Sequence, residues 1–341
     1  MRFFIVFVSL FFFQTQYSQN ISGIENFVLV SEEDRALITR EYFNPLFNSM
    51  QISMGEGWIK SAKTHKKLGF DFTFLLSAIN IPISSREFSN LNLSSISSSS
   101  NTSPTIFGGE SNEDYFVEFN SPGTDYSLST TFNVPGGHEG LLTRDMLVLP
   151  NLQFSIGLPF ETDLIIRYMP RTEKKGARYQ SYGVGFKHGL MQYFKPAKKA
   201  TPFNLSTLLI HSNIAGDYVF GVNSEIPGEN QSIELNVSNT SAGLVASLDL
   251  KVVSIYSSVS QVFSKSSLKV KGAYEVNYQA SSSETENIGF IFNDPISIEN
   301  KLNYIRKNIG VSFNLAFTNI FIDYSIYDYS SINIGLSFGV R

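Results

Sequence analysis

The chain has 341 residues, 26 basic against 30 acidic side chains, one tryptophan and no cysteine. The missing thiols exclude a disulfide framework and a Cys-based zinc site, and an acidic balance with no basic tail argues against general nucleic-acid binding. Charged residues make up 16% and aromatic ones 14%, at a mean hydropathy of −0.02, whereas soluble domains carry about 25% charged residues and helical membrane proteins are far more apolar.

Met1-Arg2 followed by the apolar run Phe3 to Phe13, broken only by Ser9, reads as a secretory signal peptide over residues 1–19, cut near Tyr17 to Gln19. The run is too short to cross about 30 Å of hydrocarbon as a helix. Residues 20–67 then precede the first strand. A helix is predicted from Glu32 to Phe43, capped by Ser31, with Glu32, Glu33 and Asp34 favouring its first turn and Pro45 ending it. This segment either folds into a lumen as a plug or hangs in the periplasm. Gly55, Gly57 and Trp58, suited to close packing in a narrow pore, are the plug candidates. Lys60, Lys63, Lys66 and Lys67 read as a solvated run, with anionic head groups or substrate as the alternative.

From Leu68 onward the pattern has period two, which sends alternate side chains to opposite faces of a sheet. Phe70, Phe72, Phe74 and Leu76 oppose Asp71, Thr73 and Ser77, with Leu75 out of phase. Val148, Leu152, Phe154 and Ile156 oppose Asn151, Gln153, Ser155 and Gly157; Tyr182, Val184 and Phe186 oppose Gly183, Gly185 and Lys187. Ile309 to Phe317, Ile320 to Ile326 and Ile332 to Val340 repeat the pattern. The second face of a soluble sandwich is usually rich in Lys, Glu and Arg, whereas here it is Gly, Ser and Asn, which suit the inside of a closed cylinder.

The fold class is therefore all-β, a transmembrane antiparallel β-barrel of about twelve strands, ten to fourteen, spanning 68–341 with a short N-terminal helical plug or periplasmic segment. Strands are expected near 68–82, 146–158, 161–170, 178–193, 203–213, 232–248, 250–263, 267–279, 284–298, 303–316, 320–329 and 331–340. The pair 267–279 and 284–298 also fits a hairpin standing above the membrane, which leaves ten in the wall. The stretch 83–145, with its serine run Ser94 to Ser100, is expected to be a long irregular extracellular loop.

Asp71, Arg167, Lys187 and Asp323 fall on the lumen-facing register, where they either pair across a narrow interior or line a polar path. His65, His138, His188 and His211 lie in separate segments, so no metal site is expected, and no cofactor. No Gly-x-Ser-x-Gly elbow or other acid, base and nucleophile set declares itself, so an enzyme is not expected.

The block Gly57-Trp58, Ser61-Ala62, His65-Lys66 and Leu68-Gly69-Phe70-Asp71, then Ile81-Pro82, resembles the amino-terminal signature of an uncharacterised outer-membrane barrel family of the Bacteroidota. Gly157-Leu158-Pro159, Ile166-Arg167-Tyr168-Met169-Pro170, Gly183 to His188, Asp294-Pro295-Ile296-Ser297 and Ile334 to Phe338 extend the resemblance over nearly the whole chain past the leader. Lys63-Thr64 departs from an Ala-Lys-Pro-like stretch, and the Val340-Arg341 ending lacks a terminal aromatic. No activity comes with that family. Long-chain fatty-acid transporters are similar in architecture alone, a plug before a barrel.

The expected location is the cell outer membrane. Its lipid, including lipopolysaccharide, and the outer-membrane assembly machinery are the expected partners, with no nucleic acid. The leading function is passive passage of a small solute, hydrophobic ones included, gated by residues 20–67; the alternative is a closed surface barrel whose long loops, especially 83–145, bind a partner or a glycan.

Overall fold

The computed structural model describes residues 23–340 apart from 91, 112, 122–124, 138–144, 175, 195–200, 221–223 and 282–286. Residues 1–19, expected to be a signal peptide, and His138 lie outside the described residues.

Sixteen strands are present among them: β1 Phe70–Asn80, β2 Glu87–Ser89, β3 Ile96–Ser97, β4 Thr102–Pro104, β5 Asp114–Asn120, β6 Ser127–Asn133, β7 Met146–Leu158, β8 Thr162–Lys174, β9 Ala177–Gly189, β10 Phe203–Val219, β11 Gly228–Asp249, β12 Val253–Ala280, β13 Asn287–Asn293, β14 Ile296–Leu315, β15 Thr318–Ile326 and β16 Ser331–Val340. Ten of them, β1, β7 to β12 and β14 to β16, close an antiparallel barrel by the β1–β16 and β11–β12 pairings. The count is ten because residues 250–263 and 267–279 are not two wall strands. They form one continuous strand, β12, whose upper half pairs with β13 and with the first half of β14.

Along β12 the polarity inverts. From Ser254 to Ser266 the inward residues are mostly serine, while Ile255, Val259 and Phe263 point out, each about half exposed. From Leu268 to Tyr278 the inward residues are Leu268, Val270, Tyr274, Val276 and Tyr278, all buried, and Lys265, Lys269, Glu275 and Asn277 point out. A wall in hydrocarbon needs an apolar exterior and tolerates a polar bore, whereas the same wall in water needs the opposite. The inversion near Phe263 to Leu268 therefore marks the membrane surface. Below it, Phe72, Phe154, Ile166, Val184, Leu209, Leu244, Ile309, Ile322 and Ile334 continue the apolar belt around the cylinder. No helix among the described residues is long and apolar enough to cross a membrane. The chain is an outer-membrane β-barrel.

The connections β7–β8, β11–β12 and β14–β15 are tight turns at one end, and β10–β11, β12–β14 and the long 81–145 stretch lie at the other. The end of the tight turns also carries the longer β9–β10 link, and the opposite end the short β8–β9 one; barrels of this kind in general keep short turns in the periplasm and long loops outside. The 81–145 stretch is not irregular: β2 pairs with β4, β5 with β3 and β6, and β6 with the tip of β12. Residues Tyr115, Val117, Leu128 and Phe132 of this sheet enter a hydrophobic core outside the membrane together with Phe27, Tyr42 and Tyr278. Water on its outer side and an apolar interior let it fold as a dome over the barrel.

Under the dome lies the helix α1, Glu32–Ser53, preceded by a 3-10 turn over Ile24–Leu29. Ser31 caps it, accepting from the Asp34 amide. Pro45 does not end the helix but sits inside it. A proline there costs about 3 kcal/mol, and burial on both sides of it, Ile38, Tyr42 and Phe43 before and Phe47 and Ile52 after, offsets that cost. Tertiary packing overrides the local stop signal.

Candidate functional site

The interior of the barrel is occupied by the chain that precedes β1. Below the helix, residues 51–68 run through the bore and touch every wall strand. Gln51 Nε2 donates to Ser266 Oγ of β12 and the Asn300 carbonyl of β14, and its own carbonyl accepts from Asn239 of β11. Ser212 of β10 donates to the Met54 carbonyl and Arg167 of β8 to that of Glu56. The Glu56 carboxylate accepts from Ser325 of β15 and from Asn333 of β16 at 3.1 Å. Ser61 Oγ donates to Asp249 at 2.6 Å, and the Leu68 amide reaches the Gly157 carbonyl of β7 at 2.8 Å.

Trp58 is the apolar anchor. It is 1% exposed, its indole N–H donates to the Met54 carbonyl at 2.8 Å, and the Arg167 guanidinium lies 4.0 Å from its ring. Its other face meets β9 at Gly183 and Gly185, where an added Cβ would stand 2.9 and 3.1 Å from the ring. Glycine alternation in β9 thus makes the slot for the indole. Gly57 has φ +66, and a Cβ there would meet Leu75 at 2.5 Å. Leu75, out of phase with its apolar neighbours in β1, points inward and is 2% exposed. Gly55 lies by Arg306, with an added Cβ 3.2 Å from its guanidinium.

Toward the turn end Lys60, Asp71, His65, Asp163 and Lys187 form a chain of contacts. Lys60 pairs with Asp71 at 2.6 Å, Asp71 with His65 Nε2 at 2.6 Å, His65 Nδ1 with Asp163 at 3.1 Å, and Asp163 with Lys187 at 3.0 Å. All five are at least nine-tenths buried. His65 thus stands between the two carboxylates, with Nε2 toward Asp71 and Nδ1 toward Asp163. The Asp163 carboxylate also accepts the His65 amide at 2.8 Å, and Lys187 donates to the Lys63 carbonyl at 3.0 Å. Each buried carboxylate has a lysine against it, Lys60 on Asp71 and Lys187 on Asp163, which is what burial away from bulk water demands.

Asp71, Arg167, Lys187 and Asp323 are thus all buried and turned inward. Asp71 and Lys187 meet the threaded segment as described, and Arg167 also donates to Gln153 at 3.1 Å. Asp323 accepts from Tyr256 at 3.1 Å and Asn333 at 2.8 Å, among wall residues. Of the lysine run, Lys63, Lys66 and Lys67 are exposed, but Lys60 is buried. It leaves the solvated run because Asp71 lies directly opposite. Sequence reading missed Glu56, His65 as a bridge, Asp163 and Arg306. The signals were there: Asp163 and Arg306 share an inward register with Arg167 and Asn308, and Glu56 is an acid between two glycines.

Chemically, this arrangement locks polypeptide to wall. His65 has a carboxylate on each ring nitrogen and no hydroxyl nucleophile bonded to it among the described residues. A cavity of about 330 Å³ opens at the turn end, lined by Lys60, Lys63, Asp249, Lys251 and Asn319 among others. His188 and His211 lie on the outer wall, bonded to Thr162 and Thr240.

No curated protein matches the chain in sequence. Among solved structures it is similar to the translocator domain of the autotransporter NalP from Neisseria meningitidis, at 9% identity and a TM-score of 0.34 over 90% of this chain and 98% of that one. It is also similar to Ail, the attachment invasion locus protein of Yersinia pestis, at 8% and 0.26 over 81% and 99%, and to the outer membrane protease OmpT from Escherichia coli, at 7% and 0.28 over 82% and 100%. The chain belongs to the family of unknown function DUF6588, whose profile matches residues 1–340.

Proposed function

We propose that this DUF6588 member is a closed surface barrel whose dome binds a partner or glycan outside the cell, with no standing pore. The observation that carries this reading is the bonding of residues 51–68 to all ten wall strands. On the dome, β5 turns Phe116 outward, 42% exposed, between Asp114, which accepts from Asn133 at 2.8 Å, and Glu118. An apolar ring flanked by carboxylates and an amide suits a sugar face with its hydroxyls.

Gated passage of a small solute is the second reading, favoured by the cavity at the turn end and by a segment held by polar contacts that water is able to replace. Planar bilayers separate the two. Purified wild-type protein is expected to stay silent, and a variant lacking residues 20–60, checked for heat-modifiable migration, to conduct. Sustained single-channel current from the wild type would overturn the closed reading. On a glycan array, Phe116→Ala is expected to lose whatever signal the wild type gives.

A further inference from the structure

We propose that the barrel carries its own N-terminal segment across the outer membrane, so that Gly23 to Met50 lies on the cell exterior and the bore serves to hold exported polypeptide. This goes beyond binding by the dome and stands whether or not the bore ever admits a solute.

The chain enters the fold at the dome. Gly23 packs on Pro135, its virtual Cβ 3.5 Å away. Asn26 donates to Glu225 of the β10–β11 connection at 2.6 Å, and Tyr278 of the β12 extension donates to the Leu29 carbonyl at 3.0 Å. Asp34 accepts from the Ser95 amide at 2.6 Å, Arg35 lies 4.3 Å over the Phe292 ring, and Tyr42 donates to the Gly136 carbonyl at 2.8 Å. Every one of these partners lies above the polarity inversion on β12. The helix reaches that level in its C-terminal turns, where Asn44 and Asn48 accept from Asn300 and Gln51 lies beside Ser266. From there the chain descends to the turns, where the Gly69 amide bonds back to the Lys66 carbonyl at 2.8 Å and β1 starts upward.

Segment and β1 are therefore the two arms of a hairpin that spans the wall, with the free arm leading outward. The ring around it is sealed by ten consecutive β1–β16 register pairs, Phe70 with Val340 through Ile79 with Ser331. A folded helix and its half of the dome core cannot follow through a sealed bore packed against Trp58. Passage as a hairpin, with the segment outward before β1 and β16 zip, satisfies both the topology and the packing. The bore is then an export conduit used once, and its buried bonds are the stop.

The absence of cysteine makes the sidedness directly readable. Single variants Glu33→Cys and Arg40→Cys, both at exposed helix positions, are treated on intact cells with a membrane-impermeant maleimide. Glu229→Cys reports the dome side and Phe160→Cys and Lys67→Cys the turn side, all exposed. Heat-modifiable migration certifies each barrel. Glu33→Cys and Arg40→Cys are expected to label as fully as Glu229→Cys, while Phe160→Cys and Lys67→Cys label only after the outer membrane is permeabilised. The proposal is overturned if the helix positions label only after permeabilisation, or stay unlabelled in both states beside a labelled Glu229→Cys. It also falls if Glu229→Cys itself needs permeabilisation, since the dome would then face the periplasm.

Discussion

Asp163→Asn is the sharpest perturbation of the threaded bore. The residue is fully buried and joins His65, through both its amide and its ring, to Lys187. The amide side chain keeps the shape and one acceptor but removes the charge, leaving Lys187 with only the Ser61 and Lys63 carbonyls at 3.4 and 3.0 Å. Breaking a buried pair by removing one charge costs about 3–5 kcal/mol. At about 1.4 kcal/mol per decade, the opening equilibrium of residues 60–66 rises by two to three and a half decades, roughly 10²- to 4 × 10³-fold. Hydrogen exchange by mass spectrometry in micelles reads this directly, because exchange under fast reclosing scales with the open population. Peptides covering 60–66 are expected to exchange faster by that factor, while β10 and β11, held by continuous pairing, stay as slow as in the wild type. Unchanged exchange over 60–66 would mean that the charge chain does not hold the segment. Equal acceleration in β10 would mean that Asp163 supports the wall instead. Asp163→Asn with Lys187→Met, which removes both charges, is expected to recover part of the loss.

Two further outcomes follow. Gly57→Ala, at φ +66 and with its Cβ against Leu75, is expected to cost about 1–3 kcal/mol, and Leu75→Ala on top to restore only the steric part, read as the temperature at which the folded band is lost on a gel; no loss in Gly57→Ala would refute tight packing there. The Glu25 carboxyl is raised above its ordinary value by burial first, with Glu225 nearby adding to it. A raised carboxyl binds its proton better folded than unfolded, so its contribution is full below the ordinary carboxylate range and is lost as pH rises through the folded value. Protection of residues 24–30, taken relative to intrinsic base-catalysed exchange, is expected to fall over that window, and Glu25→Gln to remove that fall; protection that rises with pH would refute the assignment.

How far the sequence reaches is clearest in β12 and β1. Alternation of Ile255, Val259 and Phe263 with serines declares a lipid-facing strand, and Lys269 and Glu275 opposite Val270 and Val276 declare a strand in water. What hides their continuity is the switch of polarity between them, because the change of solvent is a property of height above the membrane and not of neighbouring residues. Leu75 is similar: an apolar residue on the polar face has no local rationale until Gly57 is found against it. The serine run Ser94 to Ser100 reads as loop, yet Ser94 and Ser95 donate to Asp34 of the helix and tie the dome to it.

Period-two alternation and helix capping are encoded within a few neighbouring residues, so the barrel, its place in the outer membrane and the start of the helix at Ser31 are legible in the chain alone. The ten-strand closure, the continuation of the helix past Pro45 and the threading of residues 51–68 along the bore come from the assembled fold. Those depend on partners such as Asp163, Gly185 and Asn333, which meet the segment across separations of 98 to 277 residues, and pairing at that range is fixed by the closed shape of the wall rather than by any local pattern.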